Sequence, residues 1–290
     1  MRHCIIMTIY KDVEMVNHFI SLTPQDWGIY IHLDKKSKIH ISDVDSRARV
    51  FSIKKIYWGG WEHLYAFWFL LNKAKESGVH YDYFHLISGQ DFYACPTACF
   101  DDILGSEKMS YMGLFPIPNK HWHWDGGYKI FKYRTLSSFC DIRKTVPRAV
   151  NKLYYLLQKY THTEKPLPSY PLYGSTVYSS LHHDFVDWML ASDSAKSLLK
   201  GLKNSTCAEE VFFQTVIMNS PFKDKVKAEV TLRYVDWHSV QRPKFLDASD
   251  FEKIKASNSL FCRKVDSRLS KDLVPLLGNY VLKSATALIR

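Results

Sequence analysis

With 290 residues, 46% of them hydrophobic and 15% aromatic, the chain is long enough to bury a large core, and one α/β domain of this length is ordinary. Its formal charge of +10 suits anionic partners such as nucleic acid, an anionic membrane surface or phosphorylated small molecules. It has no apolar run of about 18 residues, which excludes a membrane-spanning helix, and the apolar part of MRHCIIMTIYK is too short for a signal peptide before Lys11 and Asp12 end it.

Residues 3–10 and 28–32 read as short buried strands, with an amphipathic helix over 13–22 between them. The second strand runs into Asp34. An acid at the C-terminal end of a strand in an open α/β sheet points into the crevice where nucleotides bind; a turn-forming Asp beside solvated lysines is the competing reading. Residues 50–53 form a third strand, and Trp58-Gly59-Gly60 breaks the chain before a helix over 62–76. A fourth strand, 83–87, ends in Ser88-Gly89-Gln90-Asp91. This alternation predicts a nucleotide-binding half, about residues 1–115, with a largely parallel sheet. Neither GxGxxG nor GxxxxGK[ST] occurs.

A strand over 109–114 leads to His121-Trp122-His123-Trp124, where a metal-binding His pair competes with a loop of aromatics that stack on sugars. A basic, tyrosine-rich helix over 152–160 and a proline-containing loop follow. Gly174-Ser175, a strand-like stretch at 176–181 and helices over 183–190 and 195–202 come next. Cysteines 4, 95, 99, 140, 207 and 262 are spread thinly, with one close pair and no second pair to build a zinc site, and they read as free cytosolic thiols.

The stretch TCAEEVFFQTVIMNS, residues 206–220, places Glu209 and Glu210 ahead of Phe212, Phe213, Val216 and Ile217. This predicts a helix beginning around Ala208 with acids in its first turn, where the helix dipole favours negative charge. Glu210 then sits where a helix emerges from a loop, a place to hold a carboxylate over a cleft; simple complementation of the dipole is the plain alternative. A strand over 232–237, a helix over 248–256 and the basic constellation of Arg242, Lys244, Arg263 and Lys264 complete the chain.

The ordered blocks IHLDKK, YWGGWEHLYA, YDYFHLISGQDF, YGSTVYSSL, AEEVFFQTVIMNSPF, LRYVDWHSVQRPKFLDASDF and LFCRKVD together carry a resemblance. The chain resembles the core-2/I-branching β-1,6-N-acetylglucosaminyltransferases and their peptide O-xylosyltransferase relatives, as found in bacteria, from CIIMTIYK to about Leu277. The resemblance implies an α/β, GT-A-like fold with a central, mostly parallel sheet flanked by helices. It also implies a single glycosyltransferase domain over 1–290, whose acceptor and catalytic half is about 116–290. The activity implied is inverting transfer of a sugar from a UDP-sugar to a glycan hydroxyl, with no cofactor and no metal; N-acetylglucosamine is the sugar favoured by family frequency. Glu210 matches the catalytic base. Lys264 matches a diphosphate-binding cation, and Arg242 a second one for which Lys244 competes.

Asp34, Trp58 and Gly59, which end early strands on the same edge, are expected at the nucleoside, and Asp91, Gly174, Ser175 and Trp237 along the donor and acceptor cleft. The animal enzymes' membrane anchor and disulfide framework are missing. The expectation is therefore a soluble cytoplasmic enzyme, peripheral at most to the inner face of an anionic membrane, acting on a glycan or lipid-linked oligosaccharide.

The chemistry agrees. Inverting transfer needs one carboxylate to take the proton of the attacking hydroxyl, and the leaving nucleoside diphosphate needs its charge neutralised. Where many GT-A enzymes place an Asp-x-Asp motif for a divalent cation, this chain has Ser88-Gly89-Gln90-Asp91, and preorganised Arg and Lys donors provide an alternative. Two further readings stand beside this one. The first is a metal-dependent transferase or hydrolase using Asp34, Asp91, His121 and His123. The second is a non-catalytic polyanion binder, against which the scattered basic residues and the lack of any nucleic-acid-binding motif both speak.

Overall fold

The strand His3–Ile9 is buried along its whole length. The structure, a computed structural model describing residues 1–228, 230–240 and 243–287, places it inside a sheet covered on both faces. Alternate side chains feed two cores, as the two-residue period of a strand requires. Cys4 and Ile6 join the cluster holding Leu64 and Phe67 of helix Trp61–Glu76 and Phe212 and Phe213 of helix Glu209–Met218. Ile5, Met7 and Ile9 join the cluster holding Phe19 and Ile20 of helix Val13–Leu22 and Leu273 and Leu277 of helix Leu273–Ala287.

From one edge, the seven strands of the sheet are Val226–Lys227, Ser110–Tyr111, Ser179–His182, Tyr83–Ser88, His3–Ile9, Gly28–Leu33 and Arg49–Phe51. All neighbours are parallel except at Ser179–His182, which is antiparallel to both of its own. A three-stranded sheet joins Arg233–Val235, Phe261–Arg263 and Asp91–Tyr93, with Arg263 in register with Asp91. A third pairing links Phe115–Ile117 to Leu172–Gly174.

The expected α/β architecture is present, and helix Val13–Leu22 has the bounds its apolar spacing predicts. The helix expected over 152–160 spans Thr145–Tyr160 instead. Pro147 falls in its first turn, where the missing N–H has no helical partner to lose. The strand Asp91–Tyr93 and the helix Leu273–Ala287 had no counterpart in the sequence analysis. All six cysteines are unpaired. Among the described residues, no helix is long and apolar enough to cross a membrane.

Candidate active site

Three parallel strands, His3–Ile9, Gly28–Leu33 and Tyr83–Ser88, end at one rim, the place where open α/β sheets bind ligands. Thr8, Asp34 and Ser88, at or just past those ends, line a cavity of about 670 Å³, a size suited to a small-molecule substrate. Trp58 and Gly59, Glu209 and Glu210, and Arg263 and Lys264 close it.

The helix Glu209–Met218 is anchored by apolar residues, with Val211, Phe212, Phe213, Val216 and Ile217 all buried. Its first turn is fastened from two sides. Gly59, with φ of +67°, accepts a 2.8 Å hydrogen bond at its carbonyl from Cys207 N. A side chain on Gly59 would lie 2.8 Å from Thr206 Oγ1, so the left-handed turn and the close approach both call for glycine. On the other side, Ser175 N donates to Glu210 O at 2.8 Å. A Cβ on Gly174 would sit 2.5 Å from the Trp122 ring and 3.1 Å from Glu210 O. Gly174 and Ser175 are thus placed under the helix start and are absent from the cavity lining.

The adjacent acids differ in surroundings. Glu209 is buried, and its Oε1 lies 3.1 Å from His63 Nδ1, whose Nε2 lies 3.1 Å from Thr8 Oγ1. Glu210 keeps partial exposure at the cavity. Burial, and then the Glu209 charge beside it, push its carboxyl up to about 8.

Cations gather on the wall that Lys264 shares. Burial lowers the Lys264 pKa, and the charges of Arg263, Lys11 and Arg143 lower it further. Lys11 is 2.6 Å from Asp266. Arg143 holds Asp141 through two nitrogens at 2.9 and 2.7 Å and lies 5.2 Å from the Trp58 ring. Arg263 is buried 3.5 Å from the Tyr178 ring centroid, with Nη1 3.3 Å from Asp91 Oδ2. Among the described residues, Lys264 has like-charged neighbours and no carboxylate partner, an arrangement that attracts an anion.

The remaining sequence candidates divide. Asp34 reaches the cavity, and its Oδ1 also accepts from Lys36 N at 2.9 Å and Ile56 N at 3.1 Å, tying down the loop beside it. Asp91 is buried outside the cavity lining and accepts from Ser88 N at 2.9 Å and Ser88 Oγ at 2.7 Å. Trp237 is 48% exposed and lies outside the lining. Lys244, the competitor for the second cation, is committed to Asp250 at 2.7 Å and Asp247 at 3.0 Å. Arg242 lies outside the described residues.

Asp34, Asp91, His121 and His123 form no group spaced to hold a metal among the described residues. Thr8, His63, Lys11 and Arg143 join the site without having stood out in the sequence. A lone polar residue at a strand end or a helix first turn carries no local signal of the partner that folding brings to it.

A family model described as Core-2/I-Branching enzyme matches residues 5–255. The match takes in Asp34, Trp58 and Glu210 and stops short of Arg263 and Lys264. No curated protein matches the chain.

Proposed function

The chain belongs to the core-2/I-branching enzyme family and is a glycosyltransferase, and from that premise we propose that it moves a sugar from a UDP-sugar to a glycan hydroxyl with inversion and without a divalent metal. The family implies a nucleotide-sugar donor and a glycan acceptor, and the mostly parallel sheet flanked by helices is a GT-A-like architecture. N-acetylglucosamine is the donor sugar of the proposal.

One observation carries it: a half-buried carboxyl raised to about 8 shares a cavity with a lysine surrounded by other cations. A general base works best with a pKa near the working pH, and burial has moved Glu210 there. In the proposed reaction the acceptor oxygen attacks the anomeric carbon from the face opposite the diphosphate. Glu210 takes the hydroxyl proton as the new C–O bond forms. The bond from the anomeric carbon to the diphosphate breaks with its electron pair going to the phosphate oxygen, where Lys264 offsets the charge with Arg263 beside it. Asp34, Trp58 and Gly59 bound the side of the cavity proposed for the nucleoside. Glu209, fixed by His63, is a positioning residue that holds a negative charge beside the base.

The test is a panel of nucleotide sugars scored by thermal shift in EDTA, since a ligand that binds the folded state raises apparent stability. UDP-N-acetylglucosamine should raise the melting temperature. A panel in which no nucleotide sugar does so, or does so only when manganese or magnesium is restored, would overturn the proposal.

A further inference from the structure

The helix Thr145–Tyr160 is built inside out. Its polar side chains face the protein: Asn151 Oδ1 accepts from Leu136 N at 2.8 Å, and Gln158 exchanges two 2.9 Å hydrogen bonds with the backbone of Arg134. Between them, the Tyr155 ring packs 4.5 Å from that of Tyr133. Its aliphatic side chains face away. Val146, Val150, Leu153, Leu157 and Tyr160 recur at the four-then-three spacing of one helical face, and Val146 is 72%, Leu153 68% and Tyr160 86% exposed. An apolar stripe of this length left in water on a soluble protein marks a surface that something covers.

The charges around the stripe identify the cover. Lys152 and Lys159 run along one side of it, past the exposed Leu156, and no Asp or Glu occurs from 142 to 163. A second copy meeting this face about a two-fold axis would set the same cations against each other. An anionic bilayer answers both features, taking the aliphatic side chains at its interface and pairing its headgroups with the lysines along that side. The helix also adjoins the candidate active site: Arg148, Asn151, Lys152 and Tyr155 line a recess of about 510 Å³ that shares Trp58 and Arg143 with the larger cavity.

We propose that the outward face of helix Thr145–Tyr160 docks the enzyme on an anionic membrane surface. On the glycosyltransferase reading, on which this consequence rests, docking brings the Glu210 cavity to a membrane that presents a lipid-carried acceptor.

The experiment is co-sedimentation of the whole chain with vesicles of phosphatidylcholine alone and of phosphatidylcholine mixed with an equal part of phosphatidylglycerol. No donor or acceptor is present, so the result is independent of the sugar-transfer reading. The wild-type protein is expected on the anionic vesicles, to be released by salt and to bind the neutral ones far less. Leu153→Glu with Leu157→Glu should lower binding roughly tenfold or more at an unchanged melting temperature. Lys152→Glu with Lys159→Glu, which leaves the stripe whole, should weaken it as well and decides the matter if the first variant does not fold. The proposal fails if wild type ignores anionic vesicles or if folded variants bind like wild type. It also fails if sedimentation equilibrium shows a wild-type dimer that Leu153→Glu with Leu157→Glu dissociates, because the cover is then a second copy.

Discussion

Asp91 and Arg263 face each other across antiparallel strands, with Arg263 Nη1 3.3 Å from Asp91 Oδ2 and both side chains buried. Ser88 fills the same carboxylate oxygen through its N–H and hydroxyl. The acid that follows the Tyr83–Ser88 strand is therefore engaged with protein partners. Asp91→Asn should leave the Arg263 charge buried without its pair and cost about 3 kcal/mol or more of stability, seen as a lower melting temperature that manganese does not restore. A metal-binding Asp91 would instead give a variant of nearly normal melting temperature and manganese-dependent turnover.

Glu210→Gln keeps the side-chain shape and removes the proton acceptor. Turnover should fall by roughly a hundredfold or more, while UDP affinity by calorimetry stays close to wild type. Equal or greater damage from Glu209→Gln would reassign the base.

The pH profile tests the same pair. With Glu210 titrating at about 8, kcat/KM should rise with pH and level off above that value. Glu209→Gln removes the second cause of the upward shift, so the midpoint should move to lower pH. Stability runs the other way. The unfolded carboxyl ionises near 4.5 and the native one near 8, so between those values the native state holds one more proton and stability declines as pH rises. Thermal melts of Glu210→Gln should lack that share of the decline, and parallel curves for the two proteins would count against the raised pKa.

Lys264→Ala takes away a cavity cation that has no carboxylate partner among the described residues. UDP should bind roughly tenfold or more weakly, and turnover should fall as well. Unchanged UDP affinity would move the diphosphate elsewhere in the cavity.

What could be read in the residues follows the range of the forces involved. Local period and turn chemistry marked the strands near 3–9, 28–33 and 83–88, the helix Val13–Leu22, and the helix start that carries Glu210. The strand Asp91–Tyr93 escaped because its partner, Phe261–Arg263, lies far along the chain, and no local pattern announces such a pairing. The helix Leu273–Ala287 escaped because Pro275 and Gly278 look like breakers. Pro275 falls in its first turn, and Gly278 admits His18, whose Nε2 would lie 2.9 Å from a Cβ there. At the site, the contact of His63 with both Glu209 and Thr8 joins a strand end and two helices, and tertiary packing alone creates it.

The hydrogen bond from Cys207 N to Gly59 O makes the turn at residues 57–60 and the platform under Glu210 a single mechanical part. Donor preference and turnover are then poor candidates for independent tuning. On the proposed roles, a library that varies residues 57–60 to accept another nucleotide should also tilt Glu210, and its gains in selectivity should come with losses in rate. Compensating changes belong at Thr206 and Cys207, which hold the other side of that joint.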